Sequence, residues 1–353
     1  MNALVRFSGI LLALLGTAQA QEEAWRHSGS FTVLTTPEGA DLPASASEEG
    51  FPLLVRLHKD FFDFSQASPK GEDLRFSAAG KPLAYQIEEW DAAIGVASIW
   101  IRVPLIKGNA RQEIQMRWGN AKAAGESSGP AVFNETNGYL SVWHLSDAEN
   151  PARDEVGTLA ATNAGSTTCA GLIGQGRHFD TGKGIEGGEG LMNLPAGSSP
   201  HTTEVWFRPE KTNSTLVAWG NEQGQGKVVM QYVSPPRINM DCYFSGGSMA
   251  GRSRIPLSEW THVAYTYRNG EARLYVNGVL DNTHAGGPPL AIKSPARLWI
   301  GGWYNNYSFV GDLDEVRLSK VTRSADWVRL CYENQKPLQT LVGPSCRRAR
   351  RSR

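Results

Sequence analysis

Thr261-His-Val-Ala-Tyr-Thr-Tyr-Arg-Asn-Gly-Glu-Ala-Arg-Leu-Tyr-Val-Asn-Gly278 is the stretch on which the fold turns. β-Branched and aromatic residues recur along Thr261 to Tyr267 and along Ala272 to Val276, a strand pattern. Between them Asn269-Gly270 supplies two residues that tolerate positive φ, as a two-residue hairpin requires, and Asn277-Gly278 repeats the device. Working outward, strands are expected at Leu140 to Leu145, Thr203 to Phe207, Leu216 to Trp219, Lys227 to Tyr232, Arg297 to Gly301 and Leu313 to Leu318. Such a meander suits a jelly-roll sandwich. One short helix is expected from Ser324 to Asn334, with Ser324 as N-cap and Val328, Leu330 and Cys331 on one face.

Upstream, residues 25–122 read as a smaller antiparallel sandwich, clearest at Phe51 to Leu57, Leu83 to Glu88, Ala97 to Val103 and Glu113 to Trp118. In the third of these Ile99, Ile101 and Val103 share the core face, which leaves Trp100 on the other side to be explained. Apart from Glu126, residues 123–130 are Ala, Gly, Ser and Pro with no large apolar side chain, the composition of a linker. The expected architecture is all-β: two antiparallel β-sandwiches in series, at 25–122 and 131–343, with a basic tail at 344–353.

The N-terminus reads as an export signal. Arg6 precedes the apolar run Gly9 to Gly16, and Ala18-Gln19-Ala20 offers a cleavage site, so residues 1–20 are expected to be removed. A retained anchor is the alternative. The apolar run falls short of the ~20 residues that cross a bilayer, and no later segment reaches that length, so no membrane span is expected in the mature chain. A periplasmic or extracellular location follows. The 35 basic and 35 acidic residues balance only because Arg347, Arg348, Arg350, Arg351 and Arg353 crowd the tail. The body is mildly acidic, which argues against nucleic acid as a partner. Four cysteines, Cys169, Cys242, Cys331 and Cys346, allow two disulfides in three connectivities or none at all, and their spacing is not that of a metal site.

Ser258-Glu-Trp-Thr-His-Val-Ala-Tyr-Thr-Tyr, Arg273-Leu-Tyr-Val-Asn-Gly and Phe309-Val-Gly-Asp-Leu-Asp-Glu-Val-Arg-Leu resemble laminin-G-like domains of the concanavalin-A-like jelly-roll superfamily. Gly176-Arg-His-Phe-Asp and Thr203-Glu-Val-Trp-Phe-Arg-Pro extend the resemblance over the second block. Phe51-Pro-Leu-Leu-Val-Arg-Leu, Glu72-Asp-Leu-Arg-Phe, Ile87-Glu-Glu-Trp-Asp and Trp118-Gly-Asn make the first block similar to a bacterial domain of no settled function that commonly precedes laminin-G-like domains. Some chains carrying it continue into membrane segments resembling TolQ- and ExbB-type subunits. The resemblance implies a jelly roll, and Asp180 and Asp314 match acidic positions of the family, which makes Ca2+ the expected cofactor; Asp147 and Asp154 would add oxygens. Alternatively Asp314 caps a turn or pairs with Arg317.

No catalytic constellation is expected. Strict alternation places Asp312, Asp314 and Val316 on one face of a strand and Glu315 with Arg317 on the other, so the carboxylate pair a glycosidase needs is missing. Glu88, Glu89 and Asp91 read as surface or turn chemistry, and His144 and His262 as packed strand residues. Gly-x-Ser-x-Gly occurs once, at Gly125-Glu-Ser-Ser-Gly129, but in the expected linker and not on a strand-to-helix elbow, and no HExxH occurs. Trp303-Tyr304-Asn305-Asn306-Tyr307 is the candidate ligand site, because rings that stack on a sugar sit beside amides that hydrogen-bond it. A non-catalytic carbohydrate-binding protein is therefore expected, the alternative being a protein-contact module of an envelope assembly, and less so a glycoside hydrolase.

Overall fold

The computed structural model describes residues 25–146, 153–157, 159–163, 165–182, 184–303 and 306–343. The expected export signal at 1–20, the basic tail, Asp147, Tyr304, Asn305 and Cys346 lie outside those residues. No described helix is long and apolar enough to cross a membrane.

The first part of the chain forms β1 (His27–Leu34), β2 (Ser47–His58), β3 (Arg75–Ala78), β4 (Lys81–Leu83), β5 (Tyr85–Asp91), β6 (Val96–Lys107) and β7 (Arg111–Trp118). One antiparallel sheet runs β1-β7-β3-β4 and the other β2-β6-β5. The second part forms β8 (Tyr139–Trp143), β9 (Thr162–Asn163), β10 (Thr167–Ala170), β11 (Gln175–Phe179), β12 (Ile185–Leu191), β13 (His201–Pro209), β14 (Ser214–Gly220) and β15 (Lys227–Val233). It continues with β16 (Arg237–Asp241), β17 (Met249–Ala250), β18 (Thr261–Arg268), β19 (Glu271–Val276), β20 (Val279–Ala285), β21 (Ala296–Ile300) and β22 (Gly311–Ser319). Its sheets run β10-β11-β22-β13-β18-β19-β20, with β8 also on β22, and β17-β16-β15-β14-β21-β12-β9. The hairpins form as expected: Asn269, Gly270, Asn277 and Gly278 all have positive φ.

Segment 123–130 is pinned along the first sandwich rather than spanning a gap. Ser128 donates its N–H to the Tyr85 carbonyl, Ile87 donates to Ser127 Oγ, and Arg75 reaches the Ala124 carbonyl and the Glu126 carboxylate. The helix Ala325–Gln335, capped by Ser324 Oγ accepting from Trp327 N–H, then returns to the first sandwich. Its Asn334 side chain accepts from Leu54 N–H at 2.6 Å and donates to Leu54 C=O at 2.9 Å, covering the free edge of β2 as a neighbouring strand would. Arg56 caps the carbonyls of Asn334 and Gln335. Val132, Phe133, Tyr139, Trp327, Leu330, Cys331 and Leu341 consequently belong to the same hydrophobic core as β2 and β6. That docking explains Trp100, which is fully buried beneath the second sandwich. Cys169, Cys242 and Cys331 are unbridged.

Candidate functional site

The outer face of the seven-stranded sheet carries an open polar groove. Cross-strand register places Ala250, Asn239, Gln231 and Thr215 in one row, and Asp241, Val229, Ala218, Trp299 and Glu186 in the next. Two depressions meet on this face. One of about 430 Å³ is lined by Gln231, Asn239, Asp241 and Ser248, and one of about 140 Å³ by Asn213, Ser214, Gln231, Val233 and Tyr307. Gln231 is common to both, and Asn239 donates to its Oε1 at 3.1 Å. Ser214 Oγ is buried without a hydrogen-bond partner among the described residues.

The predicted loop divides. Tyr307 stands at the rim of the smaller depression, 68 % exposed, and its carbonyl accepts from Thr215 N–H. Asn306 is exposed and closes a tight turn with Trp303 through two backbone hydrogen bonds. Trp303 itself is 4 % exposed and packs with Ala218, Val229 and Trp299. Its indole N–H donates to Glu222, and the Lys227 ammonium lies over both its ring and that of Tyr243. A sugar needs an open aromatic face, so Trp303 does not supply the stacking surface expected of it.

The expected calcium ligands are apart in character. Asp180 is exposed, whereas Asp314 is fully buried and its Oδ2 accepts from the N–H groups of Leu172 and Ile173, capping a turn. Burial, reinforced by Glu315 and Glu88, pushes the Asp314 carboxyl well above the usual range. Asp154 accepts from Val142, Val156 and Leu159 N–H groups, so it too is committed to backbone. Among the described residues, the group with metal-ligand spacing is Glu88, His144 and Glu315.

That group was missed for a local reason. Glu204 faces Arg317 and Trp206 faces Asp314, so two residues of β22, Glu315 and Val316, oppose Val205 alone. This is a β-bulge, with Glu315 at φ 51°. Alternation breaks there: Leu313, Val316 and Leu318 enter the jelly-roll core, while Asp314, Glu315 and Arg317 all face outward beneath the first sandwich. The expected separation of Glu315 from Asp314 is therefore wrong, and Glu88 is not a surface residue, its side chain being 1 % exposed.

Around the bulge, His144 stacks on Trp100 at 5.6 Å, with Nδ1 at 2.5 Å from Glu315 Oε1 and 3.7 Å from Glu88 Oε2. Trp100 Nε1 donates to Glu88 Oε2, and Arg317 donates to Glu315 Oε2 while its guanidinium lies over the Trp100 ring. Gln86 donates its amide to the Glu155 carboxylate, so its Oε1, 3.3 Å from His144 Nε2, must accept; Nε2 carries a hydrogen. Burial pulls the His144 ring down, but Glu315 and Glu88 outweigh it and hold the pKa up at about 9. Burial pushes Glu88 up to about 8 against the pull of His144. Burial would raise Glu315 too, yet His144 and Arg317 keep it below the usual carboxylate range.

Residues 186–329 match the concanavalin A-like lectin/glucanases superfamily. That match indicates a jelly roll in the C-terminal part, as the resemblance implies, and residues 70–145 match a domain of unknown function (DUF2341). No curated protein matches the chain. Among solved structures, domain 4 of the extracellular arabinanase AbnA from Geobacillus stearothermophilus, bound to arabinotriose, is 21 % identical, with 54 % of this chain and 97 % of that one covered and a TM-score of 0.44. The CBM40 of Ruminococcus gnavus IT-sialidase, bound to α2,3-sialyllactose, is 16 % identical over 44 % and 96 % at 0.37. A mutant of Trypanosoma rangeli sialidase displaying trans-sialidase activity is 14 % identical over 72 % of this chain and 45 % of its own, at 0.43. Likeness at that level leaves function to this chain's own side chains.

Proposed function

We propose that this is an exported carbohydrate-binding protein, with the outer groove of the jelly roll as its binding face and no hydrolytic activity of its own. The observation that carries the reading is the continuity of the groove: half-buried amides of Gln231 and Asn239 and the carboxylate of Asp241 line its floor, and the exposed ring of Tyr307 stands at one end. Amides and carboxylates hydrogen-bond vicinal hydroxyls in pairs, while a ring covers the apolar face of a pyranose. Asp241 is the sole carboxylate among the residues lining the two depressions, whereas glycosidic hydrolysis uses two flanking the bond. The eight-stranded sheet is less suited, because the helix Ala325–Gln335 and the first sandwich cover much of its outer face.

A glycan array probed with the protein from Gln21 to Gly343 tests this. Binding that falls roughly tenfold in Tyr307→Ala, the worth of one aromatic contact, and further in Gln231→Ala, is the expected result. Absence of any glycan ligand, or binding that both variants leave intact, refutes the groove. Release of reducing sugar from a bound glycan refutes the non-catalytic part.

A further inference from the structure

We propose that Glu88, His144 and Glu315 bind one divalent transition-metal cation, with Zn2+ the best fit, at the junction of the two sandwiches. The three donors come from three separated segments, β5, the end of β8 and β22, yet one atom from each lies within 4.8 Å of the other two. With the Nε2 hydrogen held by Gln86, the Nδ1 lone pair points at two carboxylates. Arg317 already offsets the charge on Glu315, but Glu88 and the Nδ1 lone pair still face Glu315 Oε1 with no cation between the three donor atoms. A metal ion supplies one; the other occupant is a proton, which would make His144 an imidazolium.

Three further observations favour an ion. Each donor already has the outer partner that metal ligands carry: Gln86 orients the imidazole, Trp100 N–H holds Glu88, and Arg317 engages Oε2 of Glu315 and leaves Oε1 for the cation. Glu88 Oε1 is buried with no hydrogen-bond partner, as is Oδ1 of neighbouring Asp314, an oxygen deficit that an ion or water would cure. The Glu315 backbone sits in a left-handed conformation that a non-glycine residue adopts at a cost, and that bulge is what turns its carboxylate to the other two. One imidazole nitrogen with carboxylate oxygens is a zinc-type donor set. Side-chain exposures of 0–2 % make it a closed, structural site that loads as the chain folds. The site is independent of the sugar groove, and its failure would leave that reading untouched.

To test it, the full chain is unfolded with chelator, refolded with Zn2+ or with Co2+ as its spectroscopic stand-in, and desalted. The expected result is about one metal per chain, a melting temperature raised on the order of 5 °C, and intense d–d absorption of a tetrahedral nitrogen–oxygen cobalt site. Glu88→Gln and Glu315→Gln should cut retained metal at least about tenfold, while Asp312→Asn, whose carboxylate faces His178 outside the cluster, should retain it. Wild-type protein that retains no metal overturns the proposal, leaving the proton as occupant. So does full retention in a refolded Glu88→Gln. If the glutamine variants do not refold, the wild-type cobalt spectrum decides, because weak octahedral bands or a sulfur-to-cobalt band would place the ion elsewhere.

Discussion

His144 and His201 are both all but excluded from solvent, at 2 % and 1 % exposure, yet their surroundings push them in opposite directions. His144 lies between two carboxylates at the junction and is held up at about 9. His201 lies at the end of β13 among Trp219, Tyr265 and Tyr267, and burial there, opposed only by the Ser199 carbonyl, pulls it down to about 4. One aromatic wall is common to both sites, since His144 stacks on Trp100 and His201 on Tyr267. Depth alone therefore does not set the charge of a buried histidine; the presence of an anion within ~4–6 Å does.

Removing the anion should break the contrast most sharply. Glu315→Gln leaves His144 and Arg317 facing each other without their common counter-ion and should lower the unfolding free energy by about 3–5 kcal/mol in urea titration. A loss under ~1 kcal/mol would mean that the network does not hold the junction.

The pH profile gives the next largest effect. The folded His201 ring titrates below its ordinary 6.5, so the unfolded chain takes up a proton the folded one rejects; this contribution is full above ~6.5 and is lost as pH falls toward 4. In metal-free protein the folded His144 ring titrates above 6.5, so its contribution is full below that value and is lost as pH rises through about 9. Glu88, raised from 4.5 to about 8, contributes fully below 4.5 and loses that contribution as pH climbs to 8, so it offsets the His201 gain below 6.5 and steepens the alkaline limb above it. Urea midpoints from pH 4 to 9.5 should thus show a nearly level acid limb between about 4.5 and 6.5, where His201 and Glu88 offset each other, and an alkaline limb that falls above 6.5, at up to ~1.4 kcal/mol per pH unit for each proton involved. A flat alkaline limb in metal-free protein would contradict the junction geometry.

His201→Phe keeps the ring and discards the titration. It should change stability at pH 7 by less than about 1.5 kcal/mol and tilt the acid limb alone, so that midpoints decline from about pH 4.5. Tyr307→Ala, on the open surface, should move neither limb and shift the midpoint by no more than ~0.5 kcal/mol, so any loss of glycan binding in it reports on the groove.

The sequence shows most of this architecture. Both Asn-Gly hairpins, the alternation of Ile99, Ile101 and Val103, and the Ser324 cap were legible because each is a local pattern with a local cause. The junction cluster was not. A period-2 reading of Asp312 to Arg317 assumes an unbroken strand, and nothing in Asp-Glu-Val announces that a glutamate will take positive φ. Glu88 looked exposed because its partners lie 56 and 227 positions away, a distance that only the docking of two sandwiches abolishes. Trp303 failed for the same kind of reason: whether an aromatic in a loop is open or roofed depends on Lys227 and Glu222 on other strands.

The helix Ala325–Gln335 also bears on timing. Trp327, Leu330, Cys331 and Leu341 complete the core laid down by strands that end at Trp118. At ~5–20 residues per second, a ribosome needs roughly 10–40 s after Trp118 to deliver them. Throughout that interval the edge of β2 that Asn334 later covers is bare, and a nascent chain in that state is open to pairing with a neighbour. The N-terminal sandwich is made first and finished last.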